Sequence, residues 1–151
     1  MNKTEKVSME KLHPIICEAI RDDGQFVFYP TGTSMLPTII PGEDCVILIE
    51  ANHIKKYDLV LFLRQNGIYV LHRIVNIKNG EYIIMGDNQN WFEKITRDQI
   101  IAKVSEIRKK NGKILTQAEF SSGGTILSLD ISRFSKRVLN KIKRIFKGRK
   151  Q

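Results

Sequence analysis

Residues 58–75, DLVLFLRQNGIYVLHRIV, decide the fold class of this 151-residue chain. Two apolar runs rich in branched and aromatic residues flank the Asn-Gly pair at 66–67, and such a pair between such runs is a strong signal for a β-hairpin. Because side chains alternate along a strand, His72 lies on the same face as Val70 and Ile74. The stretch therefore predicts two antiparallel strands, the second with a histidine among apolar neighbours.

Further short apolar runs lie on both sides of this hairpin and are separated by turn-forming residues, among them Asn-Gly pairs at 79–80 and 111–112 that predict two more hairpins. A short helix is predicted over 8–22, where apolar residues recur at helical spacing. The strand candidates are 25–29, 45–49, 58–63, 68–75, 81–85, 101–108 and 113–116. Strands at such close spacing predict a compact, mainly antiparallel β domain with its body over 25–116.

The composition divides the chain into a neutral body and a basic tail. Residues 133–151 hold nine Lys and Arg and no acid, which accounts for the whole net charge of +9. A balanced body argues against a folded nucleic-acid-binding surface. We predict a domain over 1–119, a connector over 120–125 and a basic amphipathic helix over 126–151. Such a helix suits docking on an anionic membrane surface, and a solvated tail is the alternative.

Neither a membrane span nor a metal or cofactor site is predicted. No stretch reaches the roughly 18 apolar residues that a spanning helix needs, and the first 23 residues do not form a signal peptide. Cys17 and Cys45 are too few for a disulfide framework and show no metal-ligand spacing. We expect a cytoplasmic chain, peripheral at the inner face of the membrane at most. The sequence leaves the oligomeric state open.

One serine lies in an unusual setting between two predicted strands. Ser34 belongs to the segment TGTSMLPT over 31–38. Gly32 allows close approach of a substrate or a positive φ, and Pro37 stiffens the exit of the loop. A serine hydroxyl is a weak nucleophile, so catalysis requires a neighbouring base and donors for an oxyanion. A serine in an ordinary turn is the alternative.

The other polar candidates follow in the next strands. His72 fits either a base at the edge of a cleft or a hydrogen-bonded core histidine. Asp87, in Gly-Asp-Asn at 86–88, fits either a turn cap or a carboxylate that orients the imidazole. Glu93 fits the same orienting role or that of a solvated surface carboxylate.

Together these motifs resemble those of the type I signal peptidases, above all the archaeal and endoplasmic-reticulum branch. They are similar, more loosely, to the repressor-type self-cleaving peptidases. The resemblance covers about residues 30–108, and each block alone is weak, whereas the ordered set is specific. The matching blocks, in the order of the family, are GTSMLPT at 32–38, PGED at 41–44, YDLV at 57–60, LHRIV at 71–75 and GDN at 86–88.

The resemblance implies a coiled, barrel-like antiparallel fold with an extended groove for a peptide. Ser34 is then the nucleophile, whose main-chain N–H is one oxyanion donor, and His72 is the general base. Glu93 stands where the histidine branch has an aspartate, so either Glu93 or Asp87 supports His72. The residues expected at the substrate groove are Thr33, Met35 and Pro37, with Thr33 as a candidate second oxyanion donor. No metal or organic cofactor is implied.

The chain also departs from the family, because signal peptidases carry a transmembrane helix before the serine and Ser34 comes too early for one. The resemblance therefore implies a serine endopeptidase that cleaves a leader-, signal- or propeptide-like segment of a cytoplasmic or membrane-surface substrate. Two alternatives stay open. One is a catalytically silent peptide-binding or regulatory module of the same fold, and the other is a membrane-surface adaptor that acts through the basic helix.

Overall fold

The structure, a computed structural model, describes residues 8–122. All strand pairings among them are antiparallel, in one eight-stranded sheet of order β1-β2-β7-β3-β4-β5-β6, with β8 paired to β7. The predicted mainly β, antiparallel fold is thus confirmed. The elements are helix α1 (Met9–Asp23), strands β1 (Phe26–Phe28), β2 (Cys45–Ile49), β3 (Leu59–Leu63), β4 (Tyr69–Lys78), β5 (Glu81–Met85), β6 (Glu93–Ile95), β7 (Ile100–Arg108) and β8 (Ile114–Thr116), a 3-10 turn (Arg97–Gln99) and helix α2 (Gln117–Phe120).

Helix α1 packs on the sheet through one apolar side. Ile16 is fully buried, and Leu12 and Ile20 pack against the same core. Pro14 lies inside the helix, in its second turn, rather than at its start. Packing of the apolar side compensates for the backbone hydrogen bond that the proline cannot make. Gly24 ends the helix in the left-handed conformation, at φ 77°.

Strand β3 is buried on both faces and separates two apolar clusters. Leu59 and Leu61 belong to the larger cluster, under α1, whereas Val60 and Phe62 belong to the smaller one. This two-sided burial explains why 59–63 is a continuous apolar run. The larger cluster contains Ile16, Met35, Ile39, Val46, Leu48, Leu59, Leu61, Leu71, Ala102, Val104, Ile107 and Phe120, and the smaller contains Ala51, Val60, Phe62, Ile74, Ile84, Ile95 and Ile100.

Three predicted hairpins are present, each with its Asn-Gly pair at the turn. The pairs at 66–67, 79–80 and 111–112 join β3 to β4, β4 to β5 and β7 to β8. The glycine has a positive φ in every case, which is the conformation that favours glycine. Strand β6 was not expected, because its sequence, Glu-Lys-Ile, has one apolar residue after two charged ones.

The C-terminal end of the described chain belongs to the folded body. Phe120, which the sequence placed in the connector, is buried in the larger apolar cluster. The short helix α2 that carries it was not expected either. The basic helix predicted over 126–151, with its membrane docking, lies outside the described residues. Within residues 8–122, no helix combines the length and apolar content needed to cross a membrane.

Candidate active site

The segment that carries Ser34 is an irregular loop between β1 and β2. Its position is fixed by the turn after β5, because the Asn88 N–H donates to the Ser34 carbonyl at 2.8 Å. The Asn88 side-chain amide also donates to the Thr33 carbonyl, at 3.2 Å. Pro37 follows Leu36 through a cis peptide bond. The Gly-Asp-Asn block therefore holds the serine loop through main-chain hydrogen bonds.

Gly86 makes this contact possible. A Cβ at Gly86 would lie 2.6 Å from the Ser34 carbonyl oxygen and 2.8 Å from Oε1 of Gln89. Only a residue without a side chain lets the two backbones approach this closely. Gly32 differs, since a Cβ there would meet no atom within 4 Å and its φ lies outside the left-handed region. Of the two roles expected for Gly32, the structure excludes the positive φ. The other role, close approach of a substrate, is compatible with the open space beside this glycine.

These two glycines yield a matched prediction. We expect Gly86→Ala to lower the free energy of unfolding by about 1 to 3 kcal/mol, because the added methyl group collides with the main-chain carbonyl of Ser34 as well as with the Gln89 side chain, and the backbone cannot move aside. Gly32→Ala is the control and should change it by less than about 0.5 kcal/mol. Urea unfolding followed by circular dichroism measures both. Equal destabilisation by the two substitutions would contradict the proposed packing of the serine loop.

The far end of the loop is anchored by a buried carboxylate. Asp44 accepts hydrogen bonds from the main-chain N–H groups of Ile40 and Lys110, at 2.8 and 3.1 Å, and pairs with the Lys109 ammonium. Lys109 also donates to the Thr38 carbonyl at 3.0 Å. Burial opposes ionisation, yet the hydrogen bonds from Lys109 and the backbone lower the pKa of Asp44. Asp44, in the PGED block at 41–44, therefore fixes the end of the serine loop to the residues that follow β7.

Asp87 is paired with a buried arginine. Its two carboxylate oxygens accept hydrogen bonds from Nε and Nη2 of Arg73, both at 2.8 Å, and one of them also accepts from the Thr38 hydroxyl. Arg73 is 1% exposed, and its Nη1 donates to the Phe120 carbonyl at 2.6 Å. Of the two carboxylates expected near the histidine, Asp87 thus has both oxygens occupied by the arginine that follows His72 in β4.

Ser34 and His72 line one cavity of about 280 Å³. Ser34 is half-buried on the loop, and His72 lies on β4, directly opposite Val60 of β3. Val70 and Ile74 both pack in the smaller apolar cluster, as the alternation predicted. The structure thus brings the expected nucleophile and base to the same opening. The cavity wall is formed by Met9, Phe28, Pro30, Thr31, Gly32, Ser34, Met35, Leu61, Arg64, Tyr69, Val70, Leu71, His72, Gln89 and Trp91.

Glu93 is the carboxylate beside the histidine. Its Oε1 lies 3.6 Å from Nδ1 of His72, and both of its oxygens accept hydrogen bonds from Arg64, at 2.7 and 2.8 Å. The His72 side chain packs on the Phe62 ring, 6.0 Å between centroids, and is almost fully buried. The geometry therefore favours Glu93 over Asp87 as the group that faces the imidazole.

The surroundings of His72 keep its imidazole neutral at neutral pH. Burial disfavours the charged ring and is the main reason why its pKa is lowered from 6.5 to about 4. Glu93 and Asp87 act in the opposite direction, and the Arg64 charge acts with burial. A neutral imidazole retains one ring nitrogen without a proton, which is the form that accepts a proton from a hydroxyl.

The predicted substrate residues are only partly at the cavity. Met35 lines it but is also buried in the larger apolar cluster, whereas Thr33 and Pro37 are exposed and are not part of its wall. The wall residues that were not anticipated include Arg64, Tyr69 and Trp91. Tyr69 and Trp91 offered a signal, since each is a large aromatic residue within a few positions of a predicted site residue.

The side chains at this site do not form a metal centre. Among residues 8–122 no group of three or more His, Cys, Asp and Glu is placed to hold a metal ion. Both cysteines are free thiols.

Neither the protein-family models nor the curated proteins with which the chain was compared match it.

Proposed function

We propose that this chain is a serine endopeptidase that cleaves an extended peptide segment, with Ser34 as nucleophile and His72 as general base. The observation that carries the proposal is that both side chains line the same cavity while Nδ1 of His72 faces Glu93. A carboxylate beside Nδ1 favours the tautomer with its proton on that nitrogen. Nε2 is then free to accept a proton.

The chemistry follows from this arrangement. His72 takes the Ser34 proton as the hydroxyl oxygen attacks the scissile carbonyl, and the carbonyl oxygen becomes an oxyanion. The imidazolium then gives the proton to the leaving amine, so the peptide C–N bond breaks and an acyl-serine ester remains. Water, deprotonated by His72, hydrolyses this ester and regenerates the hydroxyl. Glu93 stabilises the imidazolium in both halves of the cycle.

The main-chain N–H of Ser34 is the proposed donor for the oxyanion. The Ser34 carbonyl, on the other side of the same residue, is held by the Asn88 N–H at 2.8 Å. A fixed backbone stabilises charge without reorganising during the reaction, which is why oxyanion donors are so often main-chain groups. The turn after β5 therefore serves catalysis by fixing the backbone of the nucleophile.

The cavity favours an uncharged substrate segment next to the scissile bond. The part of its wall that residues 8–122 form is mostly apolar and contains no Asp or Glu, so a lysine or arginine side chain would find no counter-charge there. Strand β1 pairs with β2 alone among the described strands, and it leads directly into the serine loop. A peptide that adds as a further strand beside β1 would run towards Ser34.

A serine-directed acylating reagent followed by intact-mass measurement tests the proposal. We expect one acyl group to add to the wild-type chain and none to Ser34→Ala. Ser105→Ala is the matched control, because Ser105 lies on β7 and is not part of the cavity wall, and it should label like the wild type. Labelling that persists in Ser34→Ala would contradict the assignment of the nucleophile.

Cleavage of peptides distinguishes the proposed endopeptidase from a catalytically silent peptide-binding module. Screening a peptide library by mass spectrometry should yield cleavage products with the wild type and with Ser105→Ala but not with Ser34→Ala. Retention of specific peptides without any product would instead favour the module that binds and does not cleave. The arrangement at His72 supports turnover, because a neutral imidazole beside a carboxylate is the arrangement of a general base with its orienting acid.

A further inference from the structure

Arg64 is part of the cavity wall and is paired with Glu93, the carboxylate that faces His72. It follows β3 directly, and its main-chain N–H is bonded to the Ile68 carbonyl at 2.9 Å, so the hairpin fixes its backbone. Its guanidinium binds both oxygens of Glu93, and its Cζ lies 5.6 Å from the centroid of the Trp91 ring. Arg64 therefore contacts both the carboxylate that faces His72 and an aromatic residue of the cavity wall.

We propose that Arg64 is a positioning residue, which holds the Glu93 carboxylate beside Nδ1 of His72 and so presents Nε2 to Ser34. The proposal rests on the proposed function and deepens it. Without the arginine, Glu93 is a long side chain on a three-residue strand with several rotamers available. A bidentate Arg–carboxylate pair removes that freedom, because the two parallel hydrogen bonds fix the plane of the carboxylate.

One carboxylate oxygen of Glu93 faces both Arg64 and His72. Oε1 of Glu93 accepts from Nη2 of Arg64 at 2.7 Å and faces Nδ1 of His72 at 3.6 Å. Among the described residues, Nδ1 is the one buried side-chain polar atom without a hydrogen bond. A small movement of the arginine-held carboxylate closes this gap, and catalytic hydrogen bonds commonly shorten when substrate binds.

Two opposing charges from Arg64 and Glu93 also act on the imidazole. The charged groups that face His72 are Arg64 after β3, Glu93 on β6 and Asp87 after β5, and the neutral Phe62 ring covers it from β3. The hydrogen bonds to Glu93 raise the pKa of Arg64, so the arginine stays charged at every working pH. Its removal deletes a positive charge, which favours the imidazolium, and lets Glu93 move away from Nδ1, which disfavours it, so the tautomer is the readout that reports the position of Glu93.

The test compares Arg64→Gln with Arg108→Gln, an exposed arginine outside the cavity wall whose replacement changes the net charge equally. Nitrogen-15 and carbon-13 NMR of labelled histidine reports the tautomer and the titration midpoint of His72. In the wild type and Arg108→Gln we expect the proton on Nδ1 and a midpoint near 4. In Arg64→Gln we expect a mixture of tautomers, because Glu93 is no longer held beside Nδ1 to keep the proton on that nitrogen.

Kinetics with a cleaved peptide supply the second readout. Arg64→Lys keeps the charge but not the bidentate geometry, and we expect kcat to fall roughly 10-fold with KM unchanged. Arg64→Gln should lower kcat by roughly 100-fold. An unchanged tautomer in folded Arg64→Gln would overturn the proposal. If the NMR changes occur but the wild type cleaves nothing, the role of Arg64 towards Glu93 and His72 stands and the peptidase proposal alone fails.

Discussion

Asp87→Asn is expected to lower the free energy of unfolding by about 3 to 5 kcal/mol, although it changes a single atom of the side chain. The Arg73 guanidinium is 1% exposed and is bonded to both carboxylate oxygens of Asp87. An amide offers one acceptor instead of two and carries no charge, so the arginine is left buried without its counter-ion. Chemical unfolding in urea, followed by far-ultraviolet circular dichroism, measures the change.

Asp22→Asn is the matched control for this prediction. Asp22 also pairs with an arginine, Arg21, but both side chains are more than half exposed at the end of α1. Solvent screens such pairs, so the same substitution should cost less than about 0.5 kcal/mol. Similar losses at the two positions would show that the Arg73–Asp87 pair is not the structural link that its burial indicates.

The same variant separates the two carboxylates by role. The Arg73–Asp87 pair connects α2, through the Phe120 carbonyl, to the turn that holds the Ser34 backbone. We therefore expect loss of Asp87 to lower the stability of the folded domain and to displace the serine loop as well. Glu93 instead faces the imidazole, so we expect its loss to act mainly on His72. This division explains why the sequence left both carboxylates as candidates: each lies close to β4 along the chain, and only their partners distinguish them.

Most of the helices and strands could be predicted from local patterns in the sequence. The Asn-Gly pairs at 66–67, 79–80 and 111–112 marked three hairpins, because the turn geometry that joins two twisted strands favours these residues. Helix α1 was predicted to within one residue at each end, from 8–22 to Met9–Asp23. Strand β6 and helix α2 were missed, since their sequences, Glu-Lys-Ile and Gln-Ala-Glu-Phe, each have a single large apolar residue and show no periodic pattern.

The sequence could predict those candidate site residues that lie in a recognisable motif of their own strand or loop. Ser34 and His72 were predicted from motifs as candidate nucleophile and base, and the structure places both at one cavity. Arg64 was not found, because its two partners lie 27 and 29 positions away and nothing near it in sequence points to them. Thr33 and Pro37 were expected at the groove because they flank the serine, but a turn directs neighbouring side chains to different sides.

His72→Asn is expected to lower kcat/KM by up to about 10,000-fold, the contribution of a positioned general base. His53→Asn is the matched control, because His53 is an exposed loop residue with φ 49°, a conformation that asparagine tolerates well. It should leave kcat/KM unchanged. A peptide that the wild type cleaves is the substrate for all three proteins.

The pH profile of the wild type makes this prediction specific to a buried imidazole. The pKa of His72 is lowered to about 4, mainly by burial, so the base is unprotonated and active throughout the range from pH 5 to 7. Activity should fall only as the pH drops through about 4, whereas an exposed histidine would lose half its activity near its ordinary pKa of about 6.5. An acid limb at about 6.5, or equal activity of His72→Asn and the wild type, would contradict the assignment of His72 as the base. Because the control His53→Asn retains the buried imidazole, its acid limb should coincide with that of the wild type.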